Sequence, residues 1–236
     1  MKTIGILGGM GPRSTIMFEQ MLVERCVGSD QQIPTIVTIN DGSVPDRSQY
    51  LLGFGTDPVP LLQHNLNMLW MMGAEVIAIP CNSACMTPIF VRLTSPAHLL
   101  NLPLLVVENV QKIAAKKVCL LATEGTVQSG TYQELCSVAD IECIVPTKDL
   151  QNVITEIIAN VKFGNIGAAK IGARLAAQLI KRLECEAVIL GCTELPLIER
   201  QLLPAGMIGI NSLAILADAC VKYSKRRTLC KPISIH

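Results

Sequence analysis

Two cysteines, Cys81 and Cys192, each close an apolar run and open onto a polar turn. Ala74 to Pro80 leads into Cys81-Asn82-Ser83, and Cys185 to Gly191 leads into Cys192-Thr193-Glu194. A thiolate is a good base or nucleophile, and polar donors or a helix N-terminus favour it. One such cysteine alone reads as a small core residue. A matched pair across a cleft suits different chemistry, in which one thiol takes a proton from a carbon centre while the other delivers one to the opposite face, inverting the stereocentre. The carbanion between them needs donors around a carboxylate, and the Gly-rich turns with the hydroxyls of Ser83, Thr123, Thr126 and Thr193 are available.

The elements that must position these thiols are repeated. Sliding the chain so that Cys81 falls on Cys192 also brings Glu75 onto Glu186 and Val76-Ile77-Ala78-Ile79 onto Ala187-Val188-Ile189-Leu190. Thr3 to Gly11 and Lys117 to Gly125 recur at nearly the same spacing, each an aliphatic strand running into a Gly- or Thr-rich turn. Two matches in the same order indicate a duplication with one thiol per half.

Strand then helix is the grammar of a parallel sheet. The first half reads as strand 2–8, helix 12–26, strand 34–39, a polar loop from Asp41 to Asp46, helix 58–72, strand 75–80, a short helix 84–92 and a strand 103–106. The second reads as strand 117–121, helix 126–137, strand 141–145, helices 149–160 and 165–183, strand 186–190, helix 196–202 and strand 207–210. A final helix, about 211–224, has no counterpart and is expected to pack back on the first half. The expected fold is α/β: two pseudo-symmetric duplicated domains, each with a mostly parallel sheet flanked by helices, with the active site in the cleft between them. Residues 1–112 with 208–236 form the first domain and 113–207 the second. Ligands in such sheets bind beyond the C-terminal strand ends, where Cys81, Cys192 and both turns fall.

Composition narrows the function. The 236 residues are 50% hydrophobic but only 3% aromatic, so the core is aliphatic, and the formal net charge of +1 leaves no footprint for nucleic acid or an anionic membrane. The one basic cluster, Lys222, Lys225, Arg226, Arg227 and Lys231, reads as a solvated helix end and tail. Met1 to Gly9 is too short an apolar run for a signal peptide, with Arg13 and Glu19 close behind, and no apolar run is long enough to span a membrane. The ten cysteines therefore point to a reducing, cytoplasmic setting. Cys26, Cys119, Cys136, Cys143, Cys185 and Cys220 lie in apolar patterns and read as inert. There is no C-x-x-C pair, and Cys81-x3-Cys85 has no nearby His, so no zinc site is expected. Gly5 to Gly11 does not fit G-x-G-x-x-G in register with its strand, which argues against NAD, and there is no Walker A sequence.

Gly8-Gly9-Met10-Gly11-Pro12, Pro80-Cys81-Asn82-Ser83-Ala84, Ala122-Thr123-Glu124-Gly125-Thr126 with Ser129-Gly130, and Gly191-Cys192-Thr193-Glu194-Leu195-Pro196 together resemble the aspartate/glutamate racemase family over nearly the whole chain. Glu194, where glutamate racemases usually carry His, favours the aspartate branch. The resemblance implies racemisation without cofactor or metal, by two bases, with Cys81 and Cys192 as alternating acid and base. It implies a small acidic amino acid as substrate and a homodimer. Met10 with its turn, Asn82, Ser83, Thr123, Thr126 and Thr193 would hold the α-carboxylate and amino group, and Arg47 and Lys162 the side-chain carboxylate. From the residues alone Arg47 and Lys162 read as surface cations; only the resemblance gives them a role.

The chain departs from the family pattern where Ser83 and Cys85 replace Thr and His after Cys-Asn, and where Asn211 replaces Asp near the last helix. A third thiol at Cys85 is expected to make the site sensitive to oxidation. His64 and His98 read as structural. Other activities on the same scaffold are maleate isomerase, hydantoin racemase and arylmalonate decarboxylase, the last disfavoured by two retained thiols. A non-catalytic sensor of acidic amino acids is the alternative of a different class. A thiol redox protein is a third and lacks a C-x-x-C motif.

Overall fold

Short aliphatic strands separated by helices bury both faces only in parallel sheets with helices on each side. The computed structural model shows two such sheets; it describes residues 1–26 and 28–225. Arg226, Arg227 and Lys231 of the basic cluster lie outside the described residues.

The first half runs β1 (Ile4–Gly8), α1 (Pro12–Arg25), β2 (Ile36–Asn40), α2 (Arg47–Leu51), α3 (Val59–Met71), β3 (Val76–Ala78), α4 (Thr87–Phe90), β4 (His98–Leu99) and α5 (Leu102–Lys112). The second runs β5 (Lys117–Leu121), α6 (Glu124–Gln128), α7 (Thr131–Val138), β6 (Glu142–Ile144), α8 (Lys148–Lys162), α9 (Ile166–Ile180), β7 (Ala187–Leu190), α10 (Glu199–Leu202), β8 (Ile208–Asn211) and α11 (Ser212–Ser224). The sheets have matching orders, β2-β1-β3-β4 and β6-β5-β7-β8, all parallel. The repeat read from the sequence thus pairs β1 with β5 and β3 with β7, the central strands of each sheet. Every residue of β1, β3 and β7 is buried, as strands covered on both faces require.

A continuous apolar cluster runs through the first sheet and one face of the second, from Ile4, Leu66 and Ile77 to Leu120, Tyr132 and Ile189. A second cluster fills the space between the other face of the second sheet and α8 and α9. β8 pairs with β7, but α11 then packs against α1 and α5 of the first half. Arg25 of α1 reaches Asp218 of α11 at 2.6 Å, and His98 stacks on Tyr223 with ring centroids 4.4 Å apart. Among the described residues no helix is long and apolar enough to cross a membrane.

Three local expectations change. Residues 103–106 are helical, not a strand: Asn101 caps α5 by accepting from the Leu104 N–H at 3.2 Å, and Pro103 is tolerated in the first turn. The Leu-Val-Val run reads as β, but Leu102, Val106, Val107 and Val110 are the buried helical face. Helix 126–137 is broken into α6 and α7 at Ser129-Gly130, and the helix expected over 84–92 shortens to α4.

The described cysteines are all unpaired. Burial pushes the Cys119 thiol up to about 12 and also raises that of Cys220, as expected of inert core thiols.

Candidate active site

The C-terminal ends of β1, β3, β5 and β7 converge on one cavity, as expected for parallel α/β sheets. Its walls are Met10 after β1, Cys81, Asn82 and Ser83 after β3, Thr123 after β5, and Gly191, Cys192, Thr193 and Glu194 after β7. Asp46, Arg47 and Ser48 come from α2 and its cap, and Lys162 from the end of α8. Nine of the ten residues singled out in the sequence therefore border one space, with one thiol from each half.

Gly9 sets the first wall. Its φ of +93° suits glycine, and a Cβ there would run into the backbone of Asp41. The turn leaves Met10 buried with its carbonyl facing Arg47.

Arg47 is no surface cation. It is 9% exposed, and its Nη1 donates to the carbonyls of Val44 and Pro45 at 3.0 and 2.8 Å while Nη2 donates to that of Met10 at 3.2 Å. Its Nε is buried and finds no hydrogen-bond partner among the described residues. An unmet buried donor costs about 1–3 kcal/mol, more when charged, so Arg47 is a cation held ready for an anion. Lys162 is exposed yet borders the cavity. Burial by itself opposes its charge, but the nearby Cys192, Glu194 and Cys81 outweigh that and raise its pKa.

The hydroxyls of Ser83, Thr123 and Thr126 form a triangle bridging the halves, with edges of 3.1, 2.8 and 3.0 Å. Ser83 and Thr123 face the cavity, whereas Thr126 is fully buried behind them and fixes their orientation. Asn82 borders the cavity, but Nδ2 donates to Ser212 Oγ at 3.0 Å and Oδ1 accepts from the Tyr132 hydroxyl at 2.6 Å. Its amide thus also ties the first cysteine turn to α7 and α11.

Glu194, which in the sequence only marks the branch, is 3% exposed and central. Its Oε2 accepts from the Cys192 thiol at 2.9 Å and the Thr193 hydroxyl at 3.2 Å, and its Oε1 accepts from Ser14 Oγ at 3.3 Å. Burial first, then the Glu194 charge, push the Cys192 thiol well above its ordinary value, and Lys162 opposes them only in part. Ser14, Asp46 and Ser48 carry no local signal of a site; only the tertiary structure brings them there.

Of the departures from the family pattern, Ser83 borders the cavity, whereas Cys85 and Asn211 do not. Cys85 is 2% exposed and does not line the cavity; burial raises its pKa strongly. It is a core thiol, so the expected sensitivity to oxidation has no exposed thiolate to act through. Asn211 caps α11, accepting from the Ala214 N–H at 3.1 Å, a bond that Asp would also accept. His64 and His98 do not border the cavity.

The cavity holds about 20 Å³, near the ~10–15 Å³ that admits one water. Clefts of about 220 and 470 Å³ flank it, and Lys162 borders all three spaces. An amino acid enters only if these walls part.

Residues 7–220 match the family model described as Asp/Glu/Hydantoin racemase. The broad specificity amino-acid racemase RacX of Bacillus subtilis (strain 168) is 28% identical over 171 residues, covering 69% of this chain and 72% of that protein. A glutamate racemase of Lysinibacillus sphaericus (strain C3-41) is 30% identical over 138 residues, 56% of this chain and only 49% of its own length. Among solved structures, the aspartate racemase of Picrophilus torridus superposes with a TM-score of 0.84 at 29% identity, covering 96% of each chain.

Proposed function

The chain belongs to the Asp/Glu/hydantoin racemase family, and from that premise we propose that it interconverts L- and D-aspartate, or glutamate, using Cys81 and Cys192 as a pair of bases and no organic cofactor. The observation that carries this reading is the single cavity bordered by both thiols together with Arg47 and Lys162. One thiolate takes the Cα proton; the other thiol gives its proton to the opposite face. Each turnover leaves the pair with the same number of protons but exchanged, and the substrate with its configuration inverted.

The cations account for the substrate class. Arg47 has an unmet donor and Lys162 keeps its charge, so the side-chain carboxylate of an acidic substrate meets two cations. Ser83 and Thr123 supply further donors, and Asp46 is an acceptor on the same wall for an ammonium group. The similarity to the aspartate racemase over nearly the full chain supports aspartate. A non-catalytic sensor would bind the acidic amino acid in the same cavity without exchanging its Cα hydrogen with solvent.

Two domains follow, one of residues 1–112 with α11 and one of residues 113–211, because β8 pairs with β7 and shifts the boundary expected at 208; a homodimer is the assembly, and a reducing, cytoplasmic setting suits the unpaired cysteines. Chiral chromatography after incubation with L-aspartate, L-glutamate and a neutral amino acid tests the substrate. Product of the opposite hand from an acidic amino acid is expected; conversion of the neutral one alone would refute the assignment of the two cations.

One contact between the halves leaves no room for a side chain. The Gly125 N–H donates to Ser48 Oγ at 3.0 Å, and a Cβ on Gly125 would lie 2.5 Å from the Ser48 carbonyl oxygen and 2.8 Å from its Cα. Gly125→Ala forces α2 away from α6, and a displacement of about 1 Å at a reacting site costs about 10²-fold. We expect kcat/KM to fall by that order and Tm to drop by several degrees, since overpacking costs about 1–3 kcal/mol, measured by racemisation assay and thermal melting.

A further inference from the structure

We infer that Glu194, fixed by Ser14 and Thr193, holds Cys192 in its protonated form in the resting site, so that the thiols begin each cycle unlike, Cys81 as the base and Cys192 as the acid. This rests on the two-thiol reading above and adds to it a positioning residue and an order of events.

The geometry is asymmetric between halves that are otherwise duplicated. After β7, the Cys192 thiol donates to the Glu194 carboxylate at 2.9 Å within a buried pocket. After β3, the position matching Glu194 in the repeat is Ser83, whose hydroxyl is engaged by Thr123 and Thr126. Duplication therefore conserved the thiols while giving only one of them a carboxylate acceptor.

Glu194 is itself held across the halves. Its Oε1 meets the Ser14 hydroxyl and approaches Gly11 so closely that a Cβ there would lie 2.7 Å away, which puts the carboxylate at the N-terminus of α1. The 14 residues of α1 present a positive helix end, and Gly11 makes no side-chain cap bond to compete for it. A negative charge is favoured there, and a thiol beside it keeps its proton.

The other charges facing Cys192 are Lys162 from α8, with Arg47 and Asp46 beyond it on the cavity wall and Cys81 from the first half. Lys162 favours the thiolate, so removing Glu194 leaves that pull opposed only by burial. In a cycle, Cys81 takes the Cα proton and Cys192 releases its own to the opposite face. Cys192 is then a thiolate beside Glu194, and its proton is restored from solvent while Cys81 loses the one it gained. The same enantiomer then finds the starting arrangement again.

The test reads the proton on Cys192 directly. Iodoacetamide alkylation is followed peptide by peptide from pH 6 to 11, a range of about five pH units around the ordinary thiol value, for the native chain, Glu194→Gln and Ser14→Ala. Circular dichroism at each pH excludes unfolded protein. Alkylation of Cys192 in the native chain should rise only at the alkaline end. In Glu194→Gln its inflection should move to lower pH by about one unit or more, in Ser14→Ala by less in the same direction, with Cys81 unmoved in both. The basic limb of kcat/KM should shift with it, which a merely structural role would not produce. An unchanged Cys192 inflection in folded Glu194→Gln overturns the inference, even if racemisation is confirmed. A moved inflection in a chain that racemises nothing would sink the two-thiol function and leave the proton placement standing.

Discussion

Replacing either Cys81 or Cys192 by alanine will abolish interconversion of enantiomers while leaving the protein folded. Each thiol supplies one proton transfer, and a positioned general acid or base contributes about 10²–10⁴-fold. Since inversion needs both faces, loss of either should fall at the upper end of that range. Each side chain is small and buried in a pre-formed wall, so the stability cost is about 1 kcal/mol. The two variants should also fail differently. With one thiol left, one enantiomer still presents its Cα proton to a base and can exchange it with solvent on the same face. Cys192→Ala should therefore wash hydrogen from one hand only, and Cys81→Ala from the opposite hand and more slowly, because Cys192 rests protonated beside Glu194. Equal residual racemisation in both variants would rule out the thiols as the bases.

The second large effect is expected at Lys162. Its charge faces Cys192 and Cys81 together and borders the same cavity as Arg47. Lys162→Met keeps the length and apolar stem but removes the cation, so both the thiolate and the substrate carboxylate lose a stabilising partner. Removing a fixed charge of this kind costs about 10²–10³-fold in rate. The sign of the pH effect follows: a thiolate that loses a neighbouring cation is harder to form, so the acidic limb of the kcat/KM profile should move to higher pH. Lys162→Arg, which keeps the charge, should restore the limb while recovering only part of the rate, because the planar guanidinium places its donors differently. A profile unmoved by Lys162→Met would place the ammonium too far from the thiols to matter.

Much of this site is legible in the sequence because it is built on a repeat. The aliphatic runs before Met10, Cys81, Thr123 and Cys192 are central parallel strands, and the rule that ligands gather at their C-terminal ends needs no side-chain detail. What is not legible depends on contacts between distant segments. Arg47 reads as a surface cation because nothing nearby in the chain announces burial; the Met10 carbonyl that helps hold it arrives from another turn. Ser14 sits in an ordinary helix start, and only the approach of α1 to the second cysteine turn gives Glu194 its partner. Thr126, which the resemblance would place on the substrate, stands instead behind Ser83 and Thr123. Residues 103–106 mislead for a local reason: a Leu-Val-Val run satisfies both periods, and the cap at Asn101 decides for the helix.

If two thiols move protons on opposite faces of one carbon, the hydrogen at Cα must be exchanged whenever the configuration inverts. Incubation with L-aspartate in D2O under reducing conditions, with Cα deuterium followed by NMR and the enantiomers separated afterwards, tests it most directly. D-aspartate should appear fully deuterated at Cα from the earliest time points, because its proton comes from a solvent-equilibrated thiol on the other face, and the remaining L-aspartate should acquire label more slowly. D-aspartate that retains the original hydrogen would show that a single group carries the proton from one face to the other, and would exclude a pair of thiol bases.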